Sequence, residues 1–172
     1  RSRVADAVTG WRTWGPLVEE GEDCLGQPVA FSYDSAGARI HDGFDAGQTK
    51  IVIVGDSYTN GFETNDNGTY PAILSRRLGV SVANRGVGGY GPAQSLLNLR
   101  ENIARYPEAE VAVLAIMYEN VYRMVNSYRP VLYSTSSEFT LKPYMSDGKI
   151  VAHPGRQVFD SLEQFKQATE VA

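Results

Sequence analysis

Residues 51–57 read IVIVGDS, and this stretch decides the fold class of the chain. Its first four residues, Ile51 to Val54, are all β-branched, which is typical of a short strand buried on both of its faces. Gly55 ends the strand, and the polar pair Asp56 and Ser57 follows in the next loop. A fully buried strand of this kind predicts a parallel sheet with helices packed on it.

The segments after this strand alternate between helix and strand. We predict helices over residues 70–78 and 92–106, and strands over residues 80–83 and 111–117, the last of them buried. Two successive strand–helix–strand units imply a mainly parallel sheet between layers of helices. The predicted fold class is therefore α/β, a three-layer sandwich of flavodoxin-like topology.

The predicted domain organisation has two parts. Residues 1–48 form an N-terminal arm packed on the domain, and residues 49–172 form the α/β domain itself. Within the arm we predict a short helix over residues 4–14, which includes Trp11 and Trp14 as the main packing residues. A short strand over residues 31–33 follows, and glycines and prolines indicate loops elsewhere.

The C-terminal third is less regular than the centre. We predict a helix over residues 119–126, a hairpin between residues 139–141 and 149–151, and a last helix over residues 158–171. An Asp147-Gly148 pair supplies the hairpin turn. Since a sheet of this class usually has further strands, we expect the C-terminal part of the domain to be missing from the sequence.

Composition excludes several classes of function. The 172 residues include 16 basic and 20 acidic side chains, so the net charge of −4 argues against nucleic acid as the main partner. Cys24 is the single cysteine, which excludes an intrachain disulfide and a thiolate metal cluster. The longest apolar run, residues 111–118, is much shorter than the ~20 residues that span a bilayer.

Three loops follow the predicted strands, at the sheet edge where α/β proteins bind ligands. The first contains Ser57, whose hydroxyl a tight turn could present to a cleft; alternatively, Asp56 and Ser57 only satisfy backbone N–H groups and cap the next helix. The third contains Asn120, which could donate a side-chain N–H into the same cleft or serve as a helix N-cap.

The second loop, residues 84–91, reads NRGVGGYG and is rich in glycine. Glycines allow the backbone to approach a ligand and to direct N–H groups at it. Gly86, Gly88 and Gly91 also match the G-x-G-x-x-G pattern of dinucleotide-binding loops, although this is the second loop of the sheet rather than the first. A P-loop is excluded, because Phe62-Glu63 stands where Lys-Ser/Thr is required.

The three loops together resemble the first three sequence blocks of the SGNH (GDSL-like) hydrolase family. Strand–Gly-Asp-Ser, strand–Asn-x-Gly-x-x-Gly and strand–x-x-Asn occur in that order; the similarity covers about residues 50–120 and extends loosely to residue 151. The resemblance implies that Ser57 is the nucleophile. It also implies that the N–H groups of Ser57 and Gly89 and the side-chain amide of Asn120 stabilise the oxyanion.

The resemblance further implies a serine ester hydrolase or O-acyl transferase that forms an acyl-serine intermediate. O-acylated carbohydrate is the expected substrate class, without a cofactor or a metal site, in a periplasmic or extracellular location. The alternative is a non-catalytic SGNH-like binding or assembly subunit, part of a larger protein or complex. A dinucleotide-binding domain is the third hypothesis.

Two departures from the family pattern motivate the hypothesis of a non-catalytic subunit, although a truncated sequence is the explanation that we favour. Only the asparagine of the third block is retained, and the Asp-x-x-His block that activates the serine is not found. We predict His41 to be a polar loop residue, and His153 has Ile150 where the family has aspartate. The general base of an active enzyme is therefore expected beyond Ala172.

Overall fold

The structure is a computed structural model, and it describes residues 3–125, 139–140, 142–151 and 158–159. The strands before the central helices are β1 (Arg3–Asp6), β2 (Gly10–Thr13), β3 (Leu17–Glu22), β4 (Pro28–Tyr33) and β5 (Thr49–Gly55). The next elements are α1 (Ser57–Asn60), α2 (Tyr70–Leu78), β6 (Ser81–Gly86), α3 (Pro92–Asn102), β7 (Val111–Leu114) and α4 (Val121–Met124). The last strands are β8 (Phe139–Thr140), β9 (Tyr144–Ser146), β10 (Lys149–Val151) and β11 (Val158–Phe159).

The centre of the molecule is a three-stranded parallel sheet in the order β6-β5-β7. Helices α2 and α3 flank it, with α2 against β6 and α3 against all three strands. Val52, Val54, Ala83 and Tyr106 form a buried apolar cluster between sheet and helix. The predicted α/β class with a parallel sheet is confirmed at this level.

Two elements of this centre match the sequence predictions closely. Helix α2 has the predicted bounds, since Pro71 occupies its first turn and Gly79 ends it in the left-handed conformation. The second strand, predicted over residues 80–83, continues to Gly86, and all of its residues are buried.

Strand β7 differs from its prediction. It ends at Leu114 rather than at Met117, and its side chains are exposed rather than buried, from 49% for Val111 to 36% for Val113. Among the described residues, β7 pairs with β5 only, so it is an edge strand. The apolar run correctly indicated a strand, but its contact with α3 leaves the β7 side chains exposed.

The predicted helix over residues 4–14 is wrong, because β1 and β2 form an antiparallel hairpin there. Asp6 Oδ1 accepts the N–H groups of Val8 and Thr9, at 3.0 and 2.8 Å, and this side-chain turn reverses the chain. The alternation along β2 then buries Trp11 and Thr13 on one face.

A second hairpin pairs β3 with β4. The strand predicted over residues 31–33 is longer than expected, and its partner β3 lies where a loop was predicted. Arg39 then bridges Tyr33 of this hairpin to Asn84 of β6, so it covers the outer edge of the central sheet. Trp14, between the two hairpins, is exposed and is not the buried packing residue that Trp11 is.

The C-terminal hairpin has the predicted turn but a different partner strand. Asp147 and Gly148 both have positive φ angles, 49° and 70°, as a two-residue hairpin turn requires. They join β9 to β10, whereas Phe139–Thr140 pairs with Val158–Phe159. Residues 158–159 are thus a strand instead of the start of a helix, and residues 160–172 lie outside the described residues.

Helix α3 is shorter than predicted and buries a polar face. It ends at Asn102, where a 3₁₀ turn over Ile103–Arg105 follows, and its fully buried residues include Gln94 and Asn98. In the described ranges, no helix combines the length and apolar character that membrane crossing requires.

Candidate active site

The three loops predicted to carry the chemistry begin at the same edge of the sheet. Gly55 at the end of β5 pairs with Gly86 at the end of β6, and Val54 pairs with Leu114 at the end of β7. Since all three strands are parallel, the loops that follow them emerge side by side. Polar side chains distant in sequence therefore meet at this edge.

Ser57 is the first residue of α1 and is only partly buried, so no layer of side chains covers it. Asp56 is the N-cap, and its Oδ1 accepts the N–H of Tyr58 at 2.9 Å. The predicted capping role is therefore confirmed for Asp56. The N–H of Ser57 has no intrahelical acceptor, because the first N–H groups of a helix have none.

Asn120 is buried, with 2% of its surface exposed, and its side chain points at the first loop. Its Nδ2 donates to Asp56 Oδ2 at 2.9 Å, and it makes no capping hydrogen bond to α4. Asn120 therefore occupies the N-cap position of α4, but its side chain does not cap the helix. A carboxylate only accepts, so the amide nitrogen must face it, and the second hydrogen of that nitrogen remains for another acceptor.

Arg123 is a further member of the cluster that sequence reasoning missed. Its Nη1 lies 3.7 Å from Asp56 Oδ2 and donates to the carbonyl of Tyr90 at 3.0 Å. The guanidinium therefore connects the first loop to the second, while Asn120 connects the first to the third. The only sequence signal is the spacing of three residues from Asn120, which places both on one helical face.

The glycine-rich loop begins beside Gly55, whose carbonyl accepts the N–H of Val87 at 3.0 Å. Residues 87–90 form a turn closed by a 3.2 Å hydrogen bond from Tyr90 N–H to the Val87 carbonyl. Gly89 is the third residue of this turn and has a φ of +83°, in the left-handed region that favours glycine.

Packing inside the protein explains two of the three glycines of the G-x-G-x-x-G pattern, Gly86 and Gly91, whereas the atoms near Gly88 are the end of a flexible side chain. A Cβ atom at Gly86 would collide with α1, and one at Gly88 would lie 2.6 Å from the guanidinium of Arg3. A Cβ atom at Gly91 would lie 2.8 Å from that of Arg123. Gly86 and Gly91 therefore need no dinucleotide to account for them.

His41 lies in a loop, as predicted, but it is buried and far from Ser57. Its Nε2 is 2.8 Å from the Val82 carbonyl oxygen and its Nδ1 is 2.7 Å from the Asp42 carbonyl oxygen. Val82 pairs with Ile51, four residues before Gly55, which corresponds to about 13 Å along a strand. His41 therefore cannot serve as base to Ser57, and His153 lies outside the described residues.

Charged side chains of the described residues form no cluster suited to a metal ion. Comparison with known proteins adds no relative: no family model and no curated protein matches the chain.

Proposed function

We propose that this chain is a serine ester hydrolase or O-acyl transferase of the SGNH type, with the flavodoxin-like topology of that family. One observation carries the proposal: the hydrogen bond from Asn120 to Asp56 brings the first and third sequence blocks together beside a partly exposed Ser57. The glycine-rich loop begins at the same sheet edge, and Arg123 connects it to the same carboxylate.

In the proposed reaction, the Ser57 Oγ attacks the acyl carbon of an ester and its proton passes to a base. The N–H groups of Ser57 and Gly89 and the free amide hydrogen of Asn120 stabilise the resulting oxyanion. Collapse of the intermediate expels the alcohol, which takes up a proton. The acyl-serine then transfers its acyl group to water or to a hydroxyl acceptor.

Asp56 has a distinct part in this proposal. Its carboxylate is buried, fixes the Asn120 amide through one hydrogen bond, and lies near the Arg123 guanidinium. A fixed donor is more effective than a mobile one, because it needs no reorganisation as the oxyanion develops. We assign the general base to none of the described residues, since His41 is held elsewhere.

O-acylated carbohydrate is the substrate class that we propose. Tyr58 and Tyr118, beside the first and third loops, have exposed rings that could stack on sugars. Within this proposal, a periplasmic or extracellular location would match such a substrate.

A non-catalytic binding or assembly subunit is the second candidate. The exposed apolar side chains of Val111 and Val113, on one face of the edge strand β7, favour this function, since exposed apolar surface beside an unpaired strand edge is typical of a protein interface. The two candidates differ in whether Ser57 has a chemical role.

The test is the release of p-nitrophenol from p-nitrophenyl acetate by the protein and its Ser57→Ala variant. We expect the substitution to abolish activity and the acetyl adduct that mass spectrometry detects on Ser57. Ser35→Ala, at an exposed turn position, is the matched control and should retain full activity. Equal rates for Ser57→Ala and the unaltered protein would contradict the proposed enzymatic function. The non-catalytic binding or assembly subunit would then be the remaining candidate.

A further inference from the structure

The indole of Trp11, in the N-terminal hairpin, contacts the glycine-rich loop through one directed hydrogen bond. Its Nε1–H donates to the carbonyl of Gly88 at 3.2 Å, and the contact is buried. The same indole packs edge-on against the ring of Tyr90, with centroids 5.8 Å apart and an interplanar angle of 65°. A residue outside the α/β domain therefore touches the backbone of the loop that carries Gly89.

The turn over residues 87–90 can exist in two forms that differ at this carbonyl. Gly89 has a positive φ and Gly88 does not, which defines a type II turn. In a type I turn the peptide between these two residues is rotated by roughly 150–170°, so its C=O and N–H point the opposite way. Two adjacent glycines permit both forms, so the loop sequence alone does not select one.

We propose that Trp11 is a positioning residue that selects the type II form and so orients the N–H of Gly89. The Gly88 carbonyl and the Gly89 N–H belong to one planar trans peptide and point in opposite directions. A donor that holds the carbonyl on the hairpin side therefore holds the N–H on the other side. The inference rests on the proposed function, in which this N–H is an oxyanion donor.

Other contacts fix the hairpin against the loop. The Tyr90 hydroxyl donates to the Trp11 carbonyl, and the Gln94 side-chain amide donates to the Thr9 carbonyl at 2.7 Å. Burial raises the pKa of Tyr90, so its hydroxyl is protonated and a donor at neutral pH. The backbone of the hairpin is thus fixed to Tyr90 and Gln94, which holds the Trp11 indole next to the Gly88 carbonyl.

The experiment removes the N–H of the Trp11 indole and keeps an aromatic ring at position 11. Trp11→Phe is the simple variant, and Trp14→Phe, at the exposed position, is its control. The chain has two tryptophans, so a tryptophan auxotroph that expresses Trp14→Phe can place β-(3-benzothienyl)alanine at position 11 alone. This analogue has the shape of tryptophan with sulfur in place of the N–H, so it keeps the fold if Trp11→Phe does not.

We expect kcat for p-nitrophenyl acetate to fall about 3- to 10-fold at unchanged KM, the effect of one lost neutral hydrogen bond. The ¹H–¹⁵N signal of the Gly89 amide should shift in the same variants and stay unchanged in Trp14→Phe. If the position-11 variants keep their kcat or their Gly89 signal while Ser57→Ala is inactive, the inference about Trp11 is wrong and the proposed function stands. A fully active Ser57→Ala variant would instead overturn the proposed function, and the role of Trp11 with it.

Discussion

Two arginines of the described residues, the buried Arg39 and the partly buried Arg123, each lie close to an aspartate, and their surroundings differ. Arg39 lies 3.0 Å from Asp66 through its Nε, and its other nitrogens donate to backbone carbonyls of residues 60, 61 and 64. Arg123 lies 3.7 Å from Asp56 and donates to the carbonyl of Tyr90. Both guanidinium groups connect separate loops.

The two arginines differ in how much hydrogen-bonding capacity remains in the groups around them. The Arg39 guanidinium is surrounded by the loop that it binds and by the Phe31 ring, whose centroid is 4.9 Å away. The carboxylate beside Arg123 also binds Asn120, which donates one of its two amide hydrogens there and keeps the second as a donor for the proposed oxyanion. An ion pair of this kind therefore indicates a functional site only where hydrogen-bonding capacity remains next to a reactive, accessible group.

The largest effect that we expect on stability is that of Arg39→Ala. Loss of this buried cation removes the charge partner of Asp66, which then keeps the Ser32 N–H as donor, and removes one donor from each of three carbonyls. The free energy of unfolding should therefore fall by about 3–5 kcal/mol. Urea denaturation measures it, with the exposed Arg105→Ala as control. The folded fraction of Arg39→Ala should keep the kcat of the unaltered protein. If the free energy of unfolding falls by less than ~1 kcal/mol, the Arg39–Asp66 pair does not stabilise the fold.

Asn120→Ala should produce the largest effect on catalysis after Ser57→Ala. Loss of one oxyanion donor typically lowers kcat by about 10²–10³-fold, or ~2.7–4 kcal/mol. Asn102→Ala, which removes an amide bonded only within the end of α3, is the control for kcat measurements. If Asn120→Ala retains kcat within a few-fold, the amide does not contact the reacting ester.

Arg123→Gln should have the smallest effect of the three. It removes a charged donor from Asp56 and from the glycine-rich loop, worth about 1.5 kcal/mol, so kcat should fall about tenfold at a nearly unchanged KM. Steady-state kinetics and urea denaturation on the same sample distinguish the catalytic role proposed for Arg123 from the structural role of Arg39. If Arg123→Gln loses stability as Arg39→Ala does and keeps its kcat, the two pairs are alike and the contrast between them is wrong.

Local patterns predicted those elements whose stability depends on neighbours in sequence. Pro71 and Gly79 define the ends of α2, and the Asp147-Gly148 pair defines the last hairpin turn. The N-terminal hairpin was missed because its turn depends on the Asp6 side chain, and its strands alternate too briefly to distinguish from a helix. The exposure of β7 depends on which elements cover it, which its own apolar residues do not encode.

The sequence by itself determined the order of strands and helices between residues 49 and 114, the loops that contain Ser57, Gly89 and Asn120, and hence the chemistry available at them. These follow from side-chain alternation and turn residues, which act over a few positions. Only the tertiary structure decided that Asn120 turns to Asp56, that Arg123 joins the same carboxylate, and that Trp11 reaches the Gly88 carbonyl. The Asn120–Asp56 hydrogen bond joins residues that are 64 positions apart in the sequence, and the Trp11–Gly88 hydrogen bond joins residues that are 77 positions apart. These bonds form because strand register and hairpin docking bring the partners together, and no local sequence pattern encodes such a long-range contact.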